Sequence, residues 1–268
     1  MQFSLLSNEE KSKLAPELVG SVAVVVTDGS KHWVIKPRNV ATNEEKRDLL
    51  GYLLGHKFAN IAEVKLLSPE EHKEIKILSG RGDDSTPSNT YLVRLAGSYS
   101  LDELPCKTTE EAVATELIYS TWIRRRDTHV DNRCYINGVP IFFDHHVAFG
   151  AEGVLTAEAF FTAAASYGHA SFWRVKEIPD QMTTLIARNV DRNVAGAHHY
   201  IHDLDEFRKQ LDTKVKELPA LIGNDWKKLI FEAGFTSEDV ESIYTILKND
   251  LSNLEQDIDR MKQTIFQT

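Results

Sequence analysis

Residues 124–150 read RRRDTHVDNRCYINGVPIFFDHHVAFG, and the fold turns on how this stretch is understood. Asp127, His129 and Asn132 fall in a short polar turn. An apolar run follows from Cys134 to Phe143, split by Asn137-Gly138. Asn-Gly between two apolar runs is a strong hairpin signal, because the tight turn it favours needs positive φ at both central residues. The hairpin folds back on itself and so brings a second acid, Asp144, near the turn that holds Asp127 and Asn132. One carboxylate to orient a hydroxyl, with an Asn and a second carboxylate to hold Mg²⁺ on nucleotide phosphates, is the donor set that phosphoryl transfer asks for. Asp and Asn are also ordinary turn residues. The order of the pieces, not any one of them, points to the chemistry.

That order resembles a known group. RDTHVDN followed by FFDHHVAF is similar to the D-R-H-x-x-N and I-D-H-x-x-A-F pair of the HipA-like and phosphatidylinositol 3/4-kinase-like branch of the protein-kinase fold. It departs from the pattern at Thr128, where an Arg is usual, and at Val130-Asp131, where Pro-Gly is common. It also adds a second His at His145-His146. The resemblance implies an α+β, two-lobed kinase-like fold, with a small β-rich N-lobe over residues 1–96 and a mostly helical C-lobe over 97–268. It implies ATP- and Mg²⁺-dependent transfer of the γ-phosphoryl group to a hydroxyl of a protein, a lipid head group or a small molecule. Asp127 would orient the acceptor hydroxyl, His129 would support the loop or the transition-state charge, and Asn132 and Asp144 would hold Mg²⁺.

Upstream, Val22 to Pro37 holds two β-rich runs split by Asp28-Gly29, and the second ends in Trp-Val-Ile-Lys. Lys36 resembles the small-lobe Lys that contacts nucleotide phosphates; it also reads as a strand-end Lys facing water. Gly20-Ser21 stands where a phosphate-covering turn belongs, without a G-x-G-x-x-G. Thr42-Asn-Glu-Glu then opens a helix with Leu49, Leu50, Leu53, Leu54 and Phe58 at three-to-four spacing. Glu45 fits a capping box with Thr42. The alternative role is for Glu44 or Glu45 to pair with Lys36, and the resemblance to the start of this helix in HipA-like proteins favours Glu44. Residues up to about Leu18 read as a loosely specified lead-in. Residues 61–78 mix a strand-like run with a short charged helix from Ser68, and residues 80–89 are loop. Tyr91 to Leu95 reads as a strand leaving through Ala96-Gly97; the resemblance implies that it is the edge strand and linker, with backbone groups of Leu95 and Ala96 meeting the adenine.

Thr108 starts a further helix, with Val113, Leu117, Ile118 and Ile123 on its apolar face. It ends in Arg124-Arg125-Arg126, either beside the phosphates or as a solvated helix end complementing the dipole. Residues 156–167, 178–186 and 204–215 read as helices. The tail has a capped start at Thr236 with Asp239 and an apolar face from Val240 to Ile258. His198 and His202 are four apart, but no acid or cysteine joins them, so they read as surface or core histidines.

Composition bounds the rest. Over 268 residues the formal net charge is −9, which argues against a wide footprint on nucleic acid. Two cysteines, Cys106 and Cys134, build neither a disulfide framework nor a structural zinc site. The start has no basic, apolar leader and no stretch approaches a membrane span, so the expected location is the cytoplasm. Two rivals stay open: a pseudokinase that binds nucleotide or a partner without turnover, and a metal-dependent phosphohydrolase built on Asp127, His129, Asp144 and His145 or His146.

Overall fold

The computed structural model describes residues 3–14, 24–37, 43–78, 90–125, 133–145, 148–149 and 203–266. Strands β1 (Ser4–Leu5), β2 (Val25–Thr27), β3 (His32–Pro37), β4 (Val64–Leu66) and β5 (Thr90–Arg94) make one antiparallel sheet in the order β1-β2-β3-β5-β4. Two expectations are corrected here. The lead-in is not loose: it supplies the edge strand β1, a buried Phe3, and helix α1 (Asn8–Leu14), which opens on a reciprocal Ser7–Glu10 box. The strand through Tyr91 is not an edge either. All five residues of β5 are buried, and it lies between β3 and β4. A continuous Tyr-Leu-Val run suits a strand with neighbours on both sides.

The β2–β3 turn takes four residues, Asp28 to Lys31, because Thr27 pairs with His32. Asp28 organises it. Its Oδ1 accepts from the backbone N–H of Ser30 and of Lys31, and its Oδ2 accepts from Trp33 Nε1 at 2.9 Å.

Alternation along β3 sends Trp33 and Ile35 to one face and His32, Val34 and Lys36 to the other. The Trp33 face packs with Phe3, Val26, Leu92 and Ile75 of α3 (Pro69–Leu78). On the Lys36 face, Tyr91 and Val93 of β5 join the main core together with α2 (Glu44–Gly55). Helix α2 follows Asn43, which has a left-handed φ of 53°.

Helix α4 (Thr109–Trp122) was expected to be amphipathic, yet every residue from Ala112 to Trp122 is buried. A helix apolar on most sides belongs in a centre. It packs against α5 (Leu204–Leu221), α7 (Ser237–Phe266) and β7 (Val139–Phe142), while α6 (Trp226–Glu232) packs on α7 and α2. Thr236 and Asp239 cap α7 reciprocally, as their spacing predicted.

The hairpin is β6 (Arg133–Ile136) and β7 (Val139–Phe142), with Ile136 opposite Val139 across Asn137-Gly138, whose φ values are 47° and 93°. Its far strand is stitched to the segment before β4. Ala62 donates to Phe142 O and Phe142 donates to Asn60 O, both at 2.8 Å. The buried Asn60 side chain bridges Cys106 N and O and Pro140 O. One hydrophobic core therefore runs from Val64 and Val93 through α4 to Ile258. Among the described residues, no helix is long and apolar enough to cross a membrane.

Candidate functional site

Lys36 and Asp144, 108 positions apart in the sequence, meet in space: Lys36 Nζ lies 3.0 Å from Asp144 Oδ2, with each side chain 21% exposed. Lys36 is placed by β3, where it stands opposite Tyr91 of β5. Asp144 is placed by the hairpin, two residues beyond the end of β7. The ammonium group also lies over the Phe143 ring, at 5.3 Å from its centroid. This is a largely buried, charged spot.

The backbone at Asp144 is unusual. Its φ is 71°, in the left-handed region that Asp tolerates better than most residues. The turn sends the carboxylate toward Lys36 while the next side chain, His145, goes inward and is 1% exposed. His145 packs against Gly51 of α2, where an added Cβ would come within 2.7 Å of the His145 Cβ, and edge-on to Tyr119. It is thus packed into the core.

Sequence reasoning missed two residues of this neighbourhood. Tyr91 donates its hydroxyl to Asp48 Oδ2 at 2.6 Å, and both are buried. Burial holds the Tyr91 hydroxyl far above the usual phenol range, and the charges of Asp48, Asp144 and Glu44 push the same way. Four groups, Tyr91, Asp48, Asp144 and Glu44, thus share one electrostatic neighbourhood with Lys36. Glu44 opens α2 and is partly exposed, whereas Glu45 is buried.

Several expected roles change. Arg125 is neither beside solvent nor open to a phosphate. Its guanidinium is buried, donating to Glu116 and, at 2.6 Å, to the carbonyl of Phe143. Arg124 pairs with Asp250 of α7. Leu95 has its main chain engaged internally: its N–H donates to His32 O, and its carbonyl accepts from Ser98 N–H and Oγ. The Ala96 carbonyl accepts from Tyr99 N–H. Both residues open a short 3-10 turn, Ala96–Ser98, rather than an extended linker.

Gly20, Ser21, Asp127, His129 and Asn132 lie outside the described residues, as do Thr42, Arg126, His146, His198, His202 and the helices expected over 156–167 and 178–186. Among the described residues no cluster of three or more His, Cys, Asp or Glu could hold a metal. Cys106 is buried with its thiol pushed up to about 12 by burial, which suits a core residue and not a nucleophile.

No family model matches this chain, and no curated protein sequence does. Among solved structures it is similar to the crystal structure of a Helicobacter pylori proinflammatory kinase, CtkA. The identity is 10% over 90% of this chain and 91% of that one, with a TM-score of 0.48. A likeness of that degree assigns this chain neither a fold family nor an activity.

Proposed function

We propose that the chain is a two-lobed, kinase-like phosphotransferase that moves the γ-phosphoryl group of ATP to a hydroxyl acceptor with Mg²⁺. The observation that supports it is the Lys36–Asp144 pair: a Lys on the third strand of the sheet facing an acid delivered by the hairpin after the polar turn. In the protein-kinase layout the Lys of that strand holds nucleotide phosphates and an acid beyond the catalytic loop holds the metal.

Mg²⁺ takes oxygen donors and is usually held by one or two carboxylates together with the substrate's phosphates. Asp144, with Asn132 beside it in sequence order, fits that habit. When bound, the ion supplies charge neutralisation on the transferring phosphate. Lys36 binds the phosphates, Asp127 orients the acceptor hydroxyl, and His129 supports the loop. The sheet lobe is taken as residues 1–96 and the helical lobe as 97–268.

Lys36→Met tests this reading. The pair is largely buried, so Lys36→Met is expected to cost some stability, and the comparison is made on folded protein. Phosphate transfer from Mg-ATP and hydrolysis of a simple phosphomonoester are compared in both proteins. Loss of transfer in the variant, with no monoesterase activity in either protein, is the expected result. Unchanged ATP turnover, or a metal-dependent monoesterase indifferent to Lys36, would overturn the assignment.

A further inference from the structure

The face of the sheet that carries Lys36 also carries an apolar patch, and α1 sits on it. By alternation Val34 shares the Lys36 face, and its register partners there are Val25 on β2 and Val93 on β5. Leu95 continues that row from Val93, with its N–H on the carbonyl of His32. Val25, Val34 and Leu95 thus form one surface two residues along from Lys36. Leu6 and Leu14, the residues flanking and ending α1, pack onto it. The contact extends to the main chain. A Cβ added at Gly97, in the turn after β5, would lie 2.2 Å from the Leu14 carbonyl oxygen, so the end of α1 is seated against a position that only Gly leaves open.

On the kinase reading, a nucleotide with its phosphates on Lys36 must lay its base along this same face, on the side away from α2. A flat, largely apolar ring system seeks such a surface. We infer that α1 occupies the base subsite, so that the chain as folded is self-blocked and nucleotide binding requires α1 to leave. The inference rests on the proposed function and adds its regulation.

The helix is built to leave. None of its residues is fully buried. Its internal pair, Glu9 with Lys13, is exposed on both sides and ties it to nothing else. Seven residues are too few to hold a helix alone in water. The strand β1 before it keeps it tethered beside the sheet through Leu6, whose N–H donates to Val25 O. A tethered block that fills the site most of the time lowers apparent affinity by the fraction of molecules that are open.

Two variants release α1 by different means. Gly97→Ala drives the Leu14 carbonyl away by steric contact, and Leu14→Glu removes the apolar contact. Binding of ADP and of Mg-ATP is titrated calorimetrically in the full chain and both variants, while hydrogen exchange is followed at residues 8–14. The expected result is faster exchange over α1 in both variants and affinity raised by about tenfold, the gain from unmasking a mostly closed site. Nucleotide added to the wild type should likewise speed exchange over α1. If the variants free α1 yet bind nucleotide no tighter than a wild type that binds it well, the block is refuted while the nucleotide reading stands. If α1 is shown to be free and no variant binds nucleotide at all, the proposed function fails and the block falls with it.

Discussion

At Tyr91 a single hydroxyl links the sheet to the helix that backs the site. It donates to Asp48 of α2 at 2.6 Å, and burial with nearby negative charge keeps it protonated, so it remains a donor at any ordinary pH. Removing it in Tyr91→Phe leaves a buried carboxylate short of one donor, which costs about 1–3 kcal/mol. Urea denaturation should show the midpoint fall by a corresponding amount with an unchanged slope. Asp48→Asn, which can still accept from Tyr91, should cost less. An unchanged midpoint in Tyr91→Phe would mean that the hydrogen bond contributes nothing net. Lys36 stands opposite Tyr91 on the neighbouring strand, so the same variant reports how firmly the sheet beneath the Lys is held against α2.

Among the elements, the β2–β3 turn depends on one carboxylate. Partial burial alone would raise the pKa of Asp28. The backbone N–H groups of Lys31 and Ser30, with the Trp33 indole and the Ser30 hydroxyl, outweigh it and hold the acid far below its usual value of 3.8. For an acid so depressed, the stabilisation is full above the unfolded value and is lost as pH falls toward the folded one. Stability of the wild type should therefore decline between about pH 4 and pH 2 more steeply than that of Asp28→Asn, which has no proton to take up there. Equal slopes in chemical denaturation across that window would remove Asp28 from the acid response. The hairpin β6–β7 was legible because Asn-Gly dictates its turn, and α7 because its apolar stripe repeats over many turns. Helix α1 was not, since it buries no residue fully and so leaves no periodic trace. Along α2 the leucines were legible, but the buried positions Glu45, Asp48, Gly51 and Gly55 were not. Gly51 and Gly55 are buried there because His145, Ile61 and Tyr119 approach so closely that a Cβ would collide with them. The sequence suggests Glu44 or Glu45 as the partner of Lys36, whereas the structure sets it against Asp144 at 3.0 Å, a contact that, like the engagement of Leu95 and Arg125 inside the fold, depends on partners far away in the chain.

Across the whole molecule, the segment bearing Asp144 is locked to the helical core by one buried ion pair. Arg125, at the end of the α4 region, donates to Glu116 inside α4 and to the carbonyl of Phe143, one residue before Asp144. Ser120 adds a donor to Glu116 at 2.7 Å. Burial raises the Glu116 pKa above its usual value of 4.5 against the pull of Arg125. Arg125→Met would strand that carboxylate in the core, and breaking one side of a buried pair costs about 3–5 kcal/mol. The sign of the pH dependence follows. A carboxyl with a raised folded pKa favours the folded state most when protonated, below its unfolded value, and loses that advantage as pH rises through the folded one. The penalty in Arg125→Met should therefore be larger at pH 8 than at pH 5. Glu116→Gln combined with Arg125→Met removes both charges, so the double variant should recover part of the loss and lose the extra pH dependence. Denaturation of the four proteins at both pH values gives the coupling energy directly. If the single and double variants were equally destabilised at both pH values, the pair would be a packing feature and not an electrostatic joint, and the placement of Asp144 would have to rest on the Asn60 bridge and the β7 stitching alone.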